Sequence, residues 1–154
     1  MILAVIAVVS VGAGSVLAAS PRKGFGPRIG YSSNPDQLVI GAQAVFGRFL
    51  KITRFAPSFD FGTGDNMKTY TFNADMRFIF SLPKSSTALY AAAGPTLIYG
   101  DADNGGSDTE VGATITAGVR FPMGKAGFYN LEGRFGIGDV PDFKIILGIM
   151  FGGN

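Results

Sequence analysis

The stretch "GFYNLEGRFGIGD", residues 127 to 139, sets two opposite charges, Glu132 and Arg134, two residues apart in a run that is otherwise mostly apolar or glycine. In an extended chain successive side chains point to opposite faces. The two charges therefore share one face, and Tyr129, Leu131, Phe135 and Ile137 share the other. What covers each face decides the fold. Water on the charged face makes a soluble sheet, whereas lipid on the apolar face encloses the charges.

Composition narrows the choice. Only 16% of residues are charged, against about 25% in ordinary globular chains, while 23 of the 154 residues are glycine and 14 are phenylalanine. Cysteine and histidine are absent. That excludes disulfides, thiolate metal sites, the commonest transition-metal ligand and the usual general base of hydrolases, so neither an enzyme nor a cofactor is expected. A net charge of +2, with no basic run carrying interleaved aromatics, excludes a nucleic-acid partner.

The opening "MILAVIAVVSVGAGSVLAAS" is apolar and ends in small residues. Val16-Leu17-Ala18 fits the small-x-small rule for signal peptidase, so residues 1–18 read as a signal peptide and 19–154 as the exported domain. The competing reading is a retained membrane helix, for which the apolar run is just long enough.

After Pro21 no window shows helical spacing. Period-two alternation takes over, broken by Gly, Asn, Asp and Pro clusters. Strands are expected near 24–32, 38–47, 51–61, 68–82, 86–99, 109–121, 126–138 and 142–152, a meander of eight joined by short connections. Tyr70, Phe72, Ala74, Met76, Phe78 and Phe80 face one way, and Thr71, Asn73, Asp75, Arg77 and Ile79 the other. Residues 111–121 and 143–151 alternate in the same fashion. Several runs reach the 9–11 or so residues that a tilted membrane-crossing strand needs. Pro27, Pro57 and Pro95 fall inside strands and predict bulges or local breaks.

Alternation alone does not separate a soluble barrel from a membrane barrel. Three features favour the membrane form. The polar face is Gly, Ala and Thr with scattered charges (Gly41, Gly94, Gly112, Thr114, Thr116, Gly118), which suits the narrow lumen of eight strands better than contact with solvent. Its charges have both signs: Arg28, Arg54, Arg77, Arg120, Arg134 and Lys144 with Asp60, Asp75, Glu110 and Glu132. Enclosed charges must pair, and Glu132 and Arg134 are expected to pair with neighbouring strands rather than with each other. Finally, connections after strands 2, 4 and 6 are tight and basic (Arg48, Lys51, Lys84, Lys125). Those after strands 1, 3, 5 and 7 are acidic and longer, as in "GDADNGGSD". Aromatics gather at two rims, Tyr31, Phe61, Tyr70 and Tyr99 at one and Phe80, Phe121, Tyr129 and Phe151 at the other.

The stretches "ALYAAAGPTLIYG" (88–100) and "TAGVRFPMGKAGFYNLEGRFGIGDVPDFKIILGIMF" (116–151) resemble the small eight-stranded outer-membrane barrels akin to the OmpA transmembrane domain. The longer stretch is similar to that family's closing module, with Glu132 and Arg134 at its E-x-R. One departure is that Gly152, Gly153 and Asn154 follow Phe151, where members usually end on an aromatic. The resemblance implies an all-β, closed antiparallel up-and-down transmembrane barrel, monomeric, in the outer membrane of a Gram-negative-type bacterium, and without catalysis. Its expected role is structural or surface-interacting. A narrow barrel that binds or passes a small apolar molecule, with space beside Gly94, Gly112 and Gly118, stays open. So does a soluble lipocalin-like barrel. In the "DADNGGSD" loop, Asp101, Asp103 and Asp108 offer a weak divalent-cation site. The loop starts like an EF-hand but has Gly112 where a bidentate Glu is required.

Overall fold

The computed structural model describes residues 23–50, 52–125 and 127–152, with the side chains of residues 48–50 set aside. The expected signal segment, Lys51 and the Gly153-Asn154 tail lie outside the described residues, as does the side chain of Arg48. Eight strands follow in order: β1 (Gly24–Ser33), β2 (Gln37–Leu50), β3 (Thr53–Gly64), β4 (Met67–Ser81), β5 (Ala88–Ala102), β6 (Ser107–Met123), β7 (Gly127–Gly138) and β8 (Phe143–Phe151). Each pairs antiparallel with the next, and β8 closes on β1. Closure leaves no edge strand with unpaired backbone groups.

Polarity runs opposite to that of a soluble barrel. Leu38, Ile40, Phe59, Phe72, Val111, Ile115 and Leu147 are exposed on the outer face, while the inner face buries arginines, carboxylates, threonines and amides. The soluble lipocalin-like alternative, with its apolar interior, does not fit this arrangement. On β4, Tyr70, Phe72, Phe78 and Phe80 are outside and Thr71, Asn73, Asp75, Arg77 and Ile79 are buried inside, as the alternation predicts. Phe61, Tyr70 and Tyr99 line up across β3, β4 and β5, with neighbouring ring centroids 5.3 and 6.2 Å apart.

The strands are staggered around the barrel. Starting at Arg28, the paired row runs through Gly41, Asp60, Thr71 and Ile98 to Glu110 on β6. In the other direction it runs through Gly148 and Asn130 to Arg120 on the same strand. The two arms therefore meet β6 ten residues apart, which is the shear that tilts the strands and closes the barrel.

One expectation needs correction. The acidic connections are not longer than the basic ones. They span 34–36, 65–66, 103–106 and 139–142, against 51–52, 82–87 and 124–126 at the basic end. The residues expected to form the long loop between β5 and β6 continue the ladder instead, Gly100 opposite Asp108 and Asp101 opposite Ser107. The prolines make the local breaks expected of them. Opposite each one a single ladder lapses, Pro27 toward β8, Pro57 toward β2 and Pro95 toward β4, and pairing then resumes in the same register. Proline lacks the N–H for that side. Among the described residues the one register shift lies between Phe46 and Leu50 of β2, where Gly47 has φ +63°, a conformation that disfavours side chains.

Candidate functional site

Glu132 lies at the centre of the lumen and is 1% exposed. Because β7 alternates, Glu132 and Arg134 both point inward, and they pair with each other: Arg134 Nε donates to Glu132 Oε1 at 2.9 Å. This overturns the expectation that they pair only across strands. Both also reach neighbours. Arg28 Nη1 donates to Glu132 Oε1 at 3.2 Å, and Arg77 Nη2 and the Tyr90 hydroxyl donate to Oε2 at 3.4 and 2.8 Å.

Two further carboxylates complete the cluster. Arg28 grips Asp60 with a two-pronged fork, Nε to Oδ1 at 2.6 Å and Nη2 to Oδ2 at 2.5 Å. Arg134 Nη2 binds Asp75 Oδ2. The planar guanidinium matches such bidentate contacts, which is why arginine rather than lysine fills these positions. Glu132 thus joins β1, β4, β5 and β7 across the axis, and the Arg28 fork extends the link to β3.

The other expected members are placed unequally. Arg54 is buried and donates to the Thr53 carbonyl at 3.1 Å. Arg120 stacks over Phe128, 4.6 Å from the ring centroid, near the basic mouth. Lys144 is buried toward the acidic end and donates to Thr71 Oγ1 at 3.3 Å. Glu110 stands apart. It has the inward parity of Gly112 and Thr114 but is exposed, because the stagger lifts this end of β6 to the acidic rim.

Tyr90, Asn130 and Gln43 are lumen residues missed in the sequence. Asn130 Nδ2 donates to the Tyr90 hydroxyl at 3.2 Å, Gln43 Nε2 donates to Asn130 Oδ1 at 2.7 Å, and the Arg77 guanidinium lies 4.3 Å from the Tyr90 ring centroid. The signal for Tyr90 was its position opposite Gly118. A Cβ there would lie 2.2 Å from the Tyr90 ring, so glycine makes room for the aromatic. Gly112 likewise lies under Val140, whose Cγ1 would be 2.7 Å from an added Cβ. The space expected beside these two glycines is thus taken by neighbouring side chains.

Asp101, Asp103 and Asp108 are not gathered. Asp101 shares a face with Ser107, its partner across the hairpin, so Asp108 points to the opposite face. Among the described residues no group of three or more acidic side chains is arranged to hold a metal ion. Asp108 Oδ1 instead accepts from the backbone N–H of Thr109 at 2.8 Å.

No protein-family model and no curated protein matches the chain. Solved structures do. The N-terminal β-barrel domain of Pseudomonas aeruginosa OprF is 16% identical with a TM-score of 0.66, over 86% of this chain and 98% of that one. Neisserial surface protein A is 14% identical with a TM-score of 0.68, over 84% and 95%. Ail, the attachment invasion locus protein of Yersinia pestis, is 12% identical with a TM-score of 0.55, over 84% and 95%. At these identities the likeness is one of architecture, and it agrees with the closed ring of strands and its inverted polarity. The chain has the fold of the small eight-stranded outer-membrane β-barrels.

Proposed function

We propose that this protein is a non-catalytic barrel of a bacterial outer membrane, exported on a signal peptide spanning residues 1–18, with a structural or surface-interacting role. The observation that carries this reading is the polarity: a closed barrel whose outer face is apolar and whose inner face buries an ionic cluster. Exposed apolar area on this scale is unfavourable in water and favourable against acyl chains. Aromatic residues at both rims suit the two interfaces of a bilayer.

The ends carry opposite charge, which suggests an orientation. Asp36, Asp65, Asp101, Asp103, Asp108, Glu110, Asp139 and Asp142 lie at one end, and Lys23, Lys84 and Lys125 at the other. In this reading the acidic turns face the cell exterior and the basic turns the periplasm. With Glu132, Arg28, Arg77, Arg134 and Tyr90 meeting across the axis, an open aqueous pore is not part of the proposed role.

Refolding residues 19–154 in detergent and in plain buffer, followed by gel electrophoresis with and without boiling, tests the reading. A compact, faster-migrating unboiled band that forms only with detergent is expected. Monodisperse folding in plain buffer would overturn it, and stable large conductance steps in a lipid bilayer would overturn the closed lumen.

A further inference from the structure

The outer wall of the barrel is uneven. β3 and β4 present Phe59, Phe61, Tyr70, Phe72, Phe78 and Phe80 to the outside, whereas one paired row crosses β5, β6 and β7 as Ala91, Ala117 and Gly133. Ala117 and Gly133 floor an apolar groove of about 450 Å³, within the roughly 300–1,000 Å³ of small-ligand sites. Leu89, Val119 and Leu131 bound it toward the basic end, and Phe135, Phe143 and Ile145 toward the acidic end. The Phe135 and Phe143 rings, with centroids 5.2 Å apart, wall off the acidic side. The floor is open: a Cβ added at Gly133 would meet nothing nearer than the Phe143 ring, at 3.5 Å.

Charge lies at one end of this groove. Lys84 is in the turn before β5 and Lys125 in the turn after β6, both at the groove's basic side. Both are exposed, and neither forms an ion pair among the described residues. Asp60, Asp75 and Glu132 are inside the barrel and every other Asp and Glu lies at the acidic end, so no acidic side chain offsets the two lysines. Lys84 precedes Leu89 by five positions, and Lys125 follows Val119 by six. At about 3.3 Å per residue, shortened by strand tilt, both lie within about 20 Å of the groove. One leaflet of hydrocarbon is about 15 Å deep, half of the roughly 30 Å core. An acyl chain whose headgroup meets the lysines therefore runs past Leu89 and Val119 to Ala117 and Gly133. Lysines at a membrane surface attract anionic headgroups.

We propose that this groove holds one acyl chain of an anionic phospholipid, with the lipid phosphate at Lys84 and Lys125. The groove fixes the tail and the lysine pair selects the charge. A zwitterionic lipid of the same chain length satisfies the first without the second. The inference rests on the reading that lipid covers the outer face, and the test separates the failure of one from the failure of the other.

The test is native mass spectrometry of the full barrel refolded in detergent, with phosphatidylglycerol or phosphatidylcholine of identical acyl chains added. One phosphatidylglycerol should be retained per barrel, several-fold more than phosphatidylcholine. Gly133→Leu fills the groove and should lower that retention several-fold. Ala42→Leu, outward on β2 across the barrel, should leave it unchanged. Lys84→Gln together with Lys125→Gln should remove the preference between the two lipids. Equal retention of both lipids by the unaltered barrel overturns the proposal. So does undiminished retention in Gly133→Leu, or a preference that survives in the lysine variant. A lipid-free dimer lost in Gly133→Leu would assign the groove to a second copy of the chain and overturn it too. The lipid comparison needs only the unaltered protein, so it decides the matter even if a variant does not fold. Failure of lipid retention in a barrel that forms only with detergent leaves the membrane reading standing, whereas folding in plain buffer overturns both.

Discussion

Glu132 in the middle of the barrel and Glu110 at its acidic rim have the same side chain and the same inward parity, yet opposite circumstances. Glu132 is sealed from solvent and accepts from Arg28, Arg77, Arg134 and Tyr90. Glu110 is exposed. The same contrast holds between the buried Asp60 and Asp75 and the exposed Asp108, which shares the parity of Glu110. Parity selects a face of the sheet, but depth along the barrel determines whether that face is enclosed. A carboxylate at the centre holds strands together because removing it strands several cations. One at the rim exchanges its interactions with water at little cost.

The sharpest way to break this contrast is Glu132→Ala. It leaves Arg28, Arg77 and Arg134 each short of a buried acceptor, and removing one partner of a buried ion pair costs about 3–5 kcal/mol. Urea titration of the compact gel band should show a large fall in midpoint or no folded band at all. Its neighbour Leu131 points outward and tests the other face. Leu131→Arg should cost about 2–4 kcal/mol in a bilayer if lipid covers that face near mid-height, measured by the same titration in vesicles. No loss there would mean water reaches the outer surface.

Gly118→Leu drives a side chain into the Tyr90 ring and should cost about 1–3 kcal/mol through overpacking. Combining it with Tyr90→Ala should recover part of that loss, since the two residues compete for one space. The smallest effect belongs to Glu110→Ala, expected to lie within about 0.5 kcal/mol of the parent. A loss comparable to that of Glu132→Ala would show that the acidic rim is as enclosed as the centre and would erase the distinction between the two regions.

Much of the fold is legible in the residues because a barrel strand writes its environment at every second position. Tyr70 through Phe80 and Phe143 through Phe151 announce both faces without ambiguity. The run from Ala88 to Gly94 is harder. Its alanines suit either face, and that is why Tyr90 went unrecognised as a lumen residue. The long acidic loops were misjudged for a related reason. Asp, Asn and Gly read as turn formers, yet polar residues beyond the apolar band continue a hairpin ladder as readily as they form a loop, as Gly100 and Asp101 do with Asp108 and Ser107.

By itself the sequence determined the number of strands, their antiparallel order, the two faces of every strand but β5 and the set of charges that share the inner one. These are local properties, fixed by period-two alternation and the turn residues between runs. Only the tertiary structure decided the stagger of ten residues around the ring, and with it which inward charges meet. Stagger is a closure condition on all eight strands together. No single stretch carries it, so Glu132 and Glu110 differ in depth although nothing in their immediate neighbours says so.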